Sequence, residues 1–455
     1  MTTLDHAART NQDALLAHYQ RFLMASRARV MRPLLIGAFG GAGSDSCHVL
    51  DAKYEPGRHA LVLYSLGARL LRGVVSMDDN PGDGVWVSPG IRVSCFPLDP
   101  QIPTLAEIAD AGVFGRELSA AVGTPLVHPR LRLLRYRPGR RATFGITLGQ
   151  RDDGRTTPVR TMPIRTMPIR TMPIRYVAKV YHDPGKAAAV AAEGRTLVAE
   201  HHADPALELA PIVAHLPDLS VVVQRHISGT ELDCTLRARA SMPADHAQGA
   251  MARSAKALAS LHTRSVPHGR VRSIDRELDR FVARSQAVTA VSPGPGKALL
   301  DLAYRLRNLR SLVPEGPVAL VHGDCKPSQF MLQPQRVVLL DLDHCGLADP
   351  AYDIGNFLAT MRQLAVREAQ GRTGAVHVMT WAERLGTSFV EAYSEATTDD
   401  RDAARDLRCR VSWYEGVALE RKALRSFARA PLSPLPIALV NEAHRRLDAD
   451  FEGAR

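Results

Sequence analysis

Lysine is scarce in this sequence, with seven residues in 455 against 51 arginines. Cysteine is equally sparse. Its six copies stand at 47, 95, 234, 325, 345 and 409, with no C-x-x-C spacing. That excludes a disulfide-stapled scaffold and a zinc ribbon, and reads as reduced thiols in a cytoplasmic protein. Long apolar runs are missing too. The longest candidate for a membrane helix, Leu61 to Val75, is broken by Arg69 and Arg72. The first thirty residues carry Asp5, His6, Arg9, Asp13 and Arg21, which leaves no apolar stretch for a secretory signal. No membrane association is expected.

What is present is ordinary for a globular chain: 45% hydrophobic, 23% charged, 33 Gly and 30 Pro. Collagen-like, coiled-coil and wholly disordered classes are excluded. At roughly 100–200 residues per domain, the length implies two to four domains. The formal charge is +11, yet basic and acidic residues interleave, as in Asp275–Arg284 and Asp399–Arg408. A nucleic-acid footprint is clustered and accompanied by a groove-reading motif, and neither occurs here. No nucleic-acid partner is expected.

The unit TMPIR is repeated three times over Thr161–Arg175, after a degenerate copy at Thr157–Arg160. Proline every fifth residue forbids helix and central strand alike, so 157–175 reads as an extended surface loop. A second repeat is subtler. Tyr54-Glu-Pro-Gly-Arg58 and Tyr136-Arg-Pro-Gly-Arg140 each precede an apolar run, Ala60–Leu66 and Ala142–Leu148. Each predicts a β-hairpin with Pro-Gly at the turn. The glycine-rich stretch Gly37–Ser46 matches no phosphate-binding spacing and reads as a loop.

Beyond about residue 231 the pattern turns helical, over Pro243–Arg264, Asp275–Val288, Gly296–Leu312, Trp381–Thr397, Asp402–Ala428 and Pro434–Phe451. Two short apolar strands interrupt it, Val318–Val321 and Val337–Leu342. The expected architecture is α+β: an N-terminal β-containing cap domain over 1–125, a β-rich lobe over 126–230 and a helical lobe over 231–455.

The chemistry concentrates in Val321-His-Gly-Asp-Cys-Lys-Pro-Ser-Gln-Phe-Met-Leu332 and then Leu339-Leu-Asp-Leu-Asp-His-Cys-Gly-Leu-Ala-Asp-Pro-Ala-Tyr-Asp-Ile354. A carboxylate leaves one buried strand, an amide follows five residues on, and a second carboxylate ends the next strand. Phosphoryl transfer uses such a set: a group to orient the acceptor hydroxyl, and hard oxygens for Mg²⁺ on the nucleotide phosphates.

These two stretches resemble the aminoglycoside phosphotransferase and choline kinase family, a branch of the protein-kinase-like fold. The resemblance implies a bilobal protein-kinase-like fold, ATP and Mg²⁺ as cofactors, and a small-molecule hydroxyl acceptor. It implies Asp324 as the catalytic aspartate, Gln329 and Asp341 as metal ligands, and Asp343 as a further ligand or support. Asp349 and Asp353 match acidic positions that brace the catalytic loop. Gln329 stands where the family carries Asn, as in the maltokinases, which also bear an N-terminal cap. Lys326, two residues after Asp324, is similar to the lysine that neutralises the transferred phosphate in protein kinases. His322 and Cys325 read as packing and loop-bracing residues.

By the same resemblance, Lys179 in Tyr176–Tyr181 would hold the α- and β-phosphates. Glu193 in the helix Ala187–His202 would orient it, with Glu200 as the alternative. Leu219–Ile227 resembles the strand and hinge whose backbone, near Arg225 and Ile227, pairs with adenine. The expectation is an ATP-dependent phosphotransferase acting on a hydroxyl of a sugar or sugar-like molecule. The alternative is a nucleotide-binding regulatory module that has lost catalysis, which the Gln at 329 motivates.

Overall fold

The computed structural model describes residues 3–58, 60–77, 83–123, 125–126, 129–148, 174–199, 206–237, 244–264, 270–370 and 375–451. Contacts divide the chain into two compact units. One holds 1–199, 211–226 and 428–430; the other holds 200–210, 227–427 and 431–455. Most of the TMPIR tract lies outside the described residues. Its last two residues, Ile174 and Arg175, begin the strand Ile174–Tyr181 instead of ending a loop, and the Arg175 carbonyl accepts the His226 amide at 2.9 Å.

The first unit contains two five-stranded antiparallel sheets. In the N-terminal sheet the order is Cys47–Lys53, Ala60–Leu66, Arg69–Val75, Ile91–Cys95 and Val85–Ser88. Ala60–Leu66 is buried on both faces except at Ser65, as its unbroken apolar run requires. The helices Thr3–Ala25 and Ala28–Phe39 accompany this sheet. Phe22 stacks on Tyr54 with ring centroids 4.9 Å apart, and the Tyr64 hydroxyl donates to the Ala25 carbonyl at 2.7 Å. Gly37–Phe39, read from sequence as loop, closes the second helix; the turn to φ +70° comes at Gly40.

The second sheet runs Ile212–Leu216, Val221–Arg225, Ile174–Tyr181, Arg141–Leu148, Pro129–Arg137. Leu63 and Leu70 of the first sheet belong to the same buried cluster as Phe144, Ile146, Val180 and Val223 of the second. Both Pro-Gly segments form the expected hairpin turns. Arg58 donates its amide to the Glu55 carbonyl and Arg140 to that of Arg137, each at 3.0 Å. Gly57 and Gly139 sit at φ +74° and +68°, the second central position of a type II turn, where only a residue without Cβ is unstrained.

The helical unit follows the sequence periodicity closely, with helices at Ala244–His262, Ile274–Val291, Pro293–Leu309, Ala375–Thr397, Arg401–Arg429 and Leu435–Phe451. A further helix, Ala351–Ala369, is buried along most of its length. It approaches Arg401–Arg429 closely: a Cβ at Gly355 would lie 2.6 Å from the Glu415 nitrogen. Four short strands form one sheet, in the order Thr230–Glu231, Phe330–Leu332, Val337–Leu339, Leu207–Leu209, the last pair parallel. Ala319–Val321 pairs antiparallel with Gly346–Ala348. The loops leaving these strands carry the acidic motif.

Candidate active site

Val321 ends one strand and Phe330 begins another, so His322–Gln329 is a short loop held at both ends by sheet. Gly323 takes φ +76°, and a Cβ there would collide with the His344 carbonyl oxygen. The turn thus needs glycine. Asp324 follows, half-buried, with the Lys326 ammonium in direct contact with its carboxylate. Burial alone would raise the Asp324 carboxyl. The Lys326 charge and hydrogen bond, then His322 and Arg425, outweigh burial and hold it below the ordinary aspartate range.

The loop is braced from behind by one helix. Asp353, fully buried, accepts the His322 amide at 2.5 Å and the Gly323 amide at 2.8 Å. His262 adds a contact to the same carboxylate at 3.2 Å, and its other ring nitrogen meets the Tyr393 hydroxyl at 2.8 Å. Burial pushes the Asp353 carboxyl up, but His262, His322 and the Gly323 amide bring it below its ordinary value. One turn on, Asn356 donates to the Cys325 carbonyl at 2.6 Å. His322 itself joins the two loops: Nε2 lies 2.8 Å from the Leu340 carbonyl, while Nδ1 accepts the Asp324 amide at 3.3 Å. Nε2 therefore carries the proton. Asp349 acts differently, receiving the Ala351 amide at the helix start at 2.9 Å and pairing with Arg410 at 3.0 Å.

Gln329, buried, ends a 3₁₀ turn and points its side-chain nitrogen at Asp341 Oδ2, 3.3 Å away. The two loops are also joined through backbone, Leu340 donating to the Gln329 carbonyl at 2.9 Å. Asp341 adopts φ +61° and ψ 54°, a left-handed conformation that aspartate tolerates better than most residues. Asp343 is buried in the following 3₁₀ turn. A carboxamide beside a carboxylate supplies the hard oxygen donors that Mg²⁺ takes, with phosphates and water completing its shell. The donor chemistry fits that ion. No cluster of three or more His, Cys, Asp or Glu arranged for a metal occurs among the described residues.

In the other unit, Lys179 is buried in Ile174–Tyr181, opposite Thr143 and Val222. The expected partner, Glu193, is exposed on the helix Pro184–Ala199 and makes no ion pair among the described residues. Val190, Gly194 and Leu197, at helical spacing, take the buried face and leave residue 193 off it. Glu200 lies outside the described residues. Arg225 ends its strand with its amide bonded to the Pro211 carbonyl at 3.2 Å. Ile227 starts the chain's return to the helical unit, and its backbone makes no hydrogen bond among the described residues.

Sequence reasoning missed a basic group on the helix Arg401–Arg429. Arg421 bonds Asn356 Oδ1 at 3.3 Å and Glu277 at 2.6 Å, and Lys422 bonds the Thr360 hydroxyl at 2.8 Å. Arg425 stands one turn from Arg421. All three interact electrostatically with Asp324 or are sensed by it. Lys422 is one of the seven lysines, the single signal that marked it. Burial, with Arg425 and Arg421 beside it, pushes its ammonium down to about 7.

A carboxylate on a braced loop, a lysine in contact with it, and an amide–carboxylate pair on the adjoining loop thus stand together in this α+β, protein-kinase-like fold. A model of the phosphotransferase enzyme family matches residues 166–407, more than half of the chain, and the chain belongs to that family. It is a kinase-type phosphotransferase. No curated protein has a significant sequence match. Among solved structures, the chain is similar to a choline/ethanolamine kinase family protein from Mesorhizobium loti, at 15% identity and TM-score 0.47, over 75% of this chain and 95% of that one. It is similar to ADP-bound aminoglycoside phosphotransferase APH(2'')-Ib at 11% identity and TM-score 0.47, over 74% and 97%. A glucosamine kinase solved with glucosamine, ADP and inorganic phosphate aligns at 14% identity and TM-score 0.45, over 93% and 98%. No helix among the described residues is long and apolar enough to cross a membrane.

Proposed function

We propose that the protein transfers the γ-phosphate of ATP to a hydroxyl of a small sugar or sugar-like molecule, with Mg²⁺ as cofactor. The observation that carries this reading is one loop holding Asp324 in contact with Lys326 at its start and Gln329 at 3.3 Å from Asp341 at its end. Asp324, kept ionised, orients the acceptor hydroxyl and takes its proton as transfer proceeds. Lys326 sets a compact positive charge beside the moving phosphoryl group. Gln329 and Asp341 would hold the metal ion, which neutralises phosphate charge, and Asp343 supports that turn. Lys179 takes the α- and β-phosphates, and backbone groups near Arg225 and Ile227 pair with adenine.

The reading extends to organisation: residues 1–125 as cap, 126–230 as the nucleotide-binding lobe and 231–455 as the lobe carrying transfer chemistry. The cysteines are all free thiols, which suits a cytoplasmic enzyme. The test is ADP formation by the full chain, with and without Mg²⁺, across sugars, amino alcohols and aminoglycosides. Mg²⁺-dependent turnover that needs an acceptor is the expected result. ATP binding without acceptor-dependent turnover would replace this reading by a nucleotide-binding regulatory module.

A further inference from the structure

The basic group beside the catalytic loop is unusual for its setting. Lys422 is buried, and among the described residues its only hydrogen bond is to the Thr360 hydroxyl, with no carboxylate in ion-pair reach. A buried ammonium held by one neutral hydroxyl is poorly compensated. The charges that bear on it most strongly are also basic: Arg425, one turn along, and then Arg421. Of these, Arg421 has Glu277 as a partner. The carboxylate sensed by both Lys422 and Arg421 is Asp324 itself.

The placement is fixed by packing. Asn356 and Thr360, one turn apart on Ala351–Ala369, receive Arg421 and Lys422 respectively. Asn356 also holds the Cys325 carbonyl, next to Asp324. The close helix approach at Gly355 sets this register. Three cations on the helix Arg401–Arg429 are thus built beside the residue that receives the acceptor hydroxyl.

We propose that this group is the acceptor-recognition site and that the acceptor carries an anionic group, a carboxylate or a phosphate, beside the hydroxyl that is phosphorylated. The proposal rests on the phosphotransferase reading and narrows it. An anion arriving at Lys422 supplies the charge partner the fold leaves out. A cationic acceptor would meet repulsion at the same place.

Matched pyranoses test it: glucuronate, glucose and glucosamine, titrated calorimetrically into the full chain with Mg²⁺ and a non-hydrolysable ATP analogue. Glucuronate is expected to bind about tenfold tighter than glucose, the scale of one hydrogen bond to a charged group. Glucosamine should be weakest. Lys422→Met should erase the preference, and Arg425→Gln, at an exposed position that spares the core, should reduce it. Glucose binding as well as glucuronate, glucosamine binding best, or an intact preference in both variants overturns the proposal. So does inorganic phosphate binding with ADP where glucuronate fails, which would assign the cations to the transferred phosphoryl group. If the analogue itself shows no Mg²⁺-dependent binding, the phosphotransferase reading falls, and this inference with it.

Discussion

Gln329 directs its amide nitrogen at Asp341 Oδ2 across 3.3 Å. Turning that amide over presents a carboxamide oxygen beside a carboxylate oxygen, two hard donors for one ion. Gln329→Asn keeps the donor on a shorter arm, so partial activity should persist with a raised Mg²⁺ requirement. Gln329→Ala should lose more. Asp341→Asn should depress Mg²⁺-dependent nucleotide binding and turnover together. Turnover and nucleotide affinity measured against Mg²⁺ decide this; an unchanged requirement in both Gln329 variants removes that residue from the metal pair.

Asp324 should fail in another way. Asp324→Asn leaves the amide–carboxylate pair in place, so nucleotide affinity should survive while transfer falls by about 10²–10⁴-fold. Loss of nucleotide affinity in this variant would mean that Asp324 holds the metal instead.

Lys179 is buried in its strand. Lys179→Ala is expected to weaken ATP use sharply, and Lys179→Arg to be impaired as well, because a planar fork does not replace a compact ammonium. Steady-state KM for ATP reads the effect. Wild-type kinetics in the Arg variant would dissociate this lysine from the phosphates.

The brace under the loop has a pH signature. The Asp353 carboxyl sits below its ordinary value in the folded chain. Its contribution is therefore complete above the unfolded value, about 3.9, and is lost as pH falls through the lower folded value. Asp353→Asn should destabilise the helical unit at neutral pH by about 3–5 kcal/mol, the scale for breaking a buried pair. It should also flatten the acid limb of stability. Urea unfolding of both proteins at pH 7 and below 4 checks this, and identical acid slopes would contradict it.

A second buried carboxylate holds the tip of a hairpin. Asp99 accepts the Tyr136 hydroxyl at 2.7 Å and the Gly139 amide at 2.6 Å. Asp99→Ala strands both donors and should cost about 1–3 kcal/mol. Amide exchange at Gly139 should speed up measurably, whereas unchanged exchange would show that the turn holds itself.

The sequence disclosed local chemistry well and distant partnership poorly. The Pro-Gly hairpins were readable because turn type depends on residues that stand side by side. Six helices of 244–451 were readable from their 3.6-residue periodicity, and the loop of Asp324 from its spacing, whereas Ala351–Ala369, buried along most of its length, offers no polar face to mark it. The N-terminal helices escaped notice; Thr3–Ala25 mixes charged and apolar residues with little stripe to detect. The basic group at 421–425 lies about a hundred residues from Asp324, and its link to that loop runs through Asn356, which meets both Arg421 and the Cys325 carbonyl. The exposure of Glu193 was not legible either, because helix rotation is set by which residues are buried, here Val190, Gly194 and Leu197.

In the proposed mechanism Asp341 meets two demands at one position, and a saturation library would separate them. Its left-handed backbone admits Gly, Asn and Asp with little strain and penalises β-branched residues. Selection for soluble, folded protein should therefore retain all three of those residues. Selection for turnover should keep Asp alone, because only it brings a charged oxygen to the ion. The Gly and Asn survivors would be folded, silent enzymes: decoys that keep the backbone turn of the active protein and lack the charge it places there.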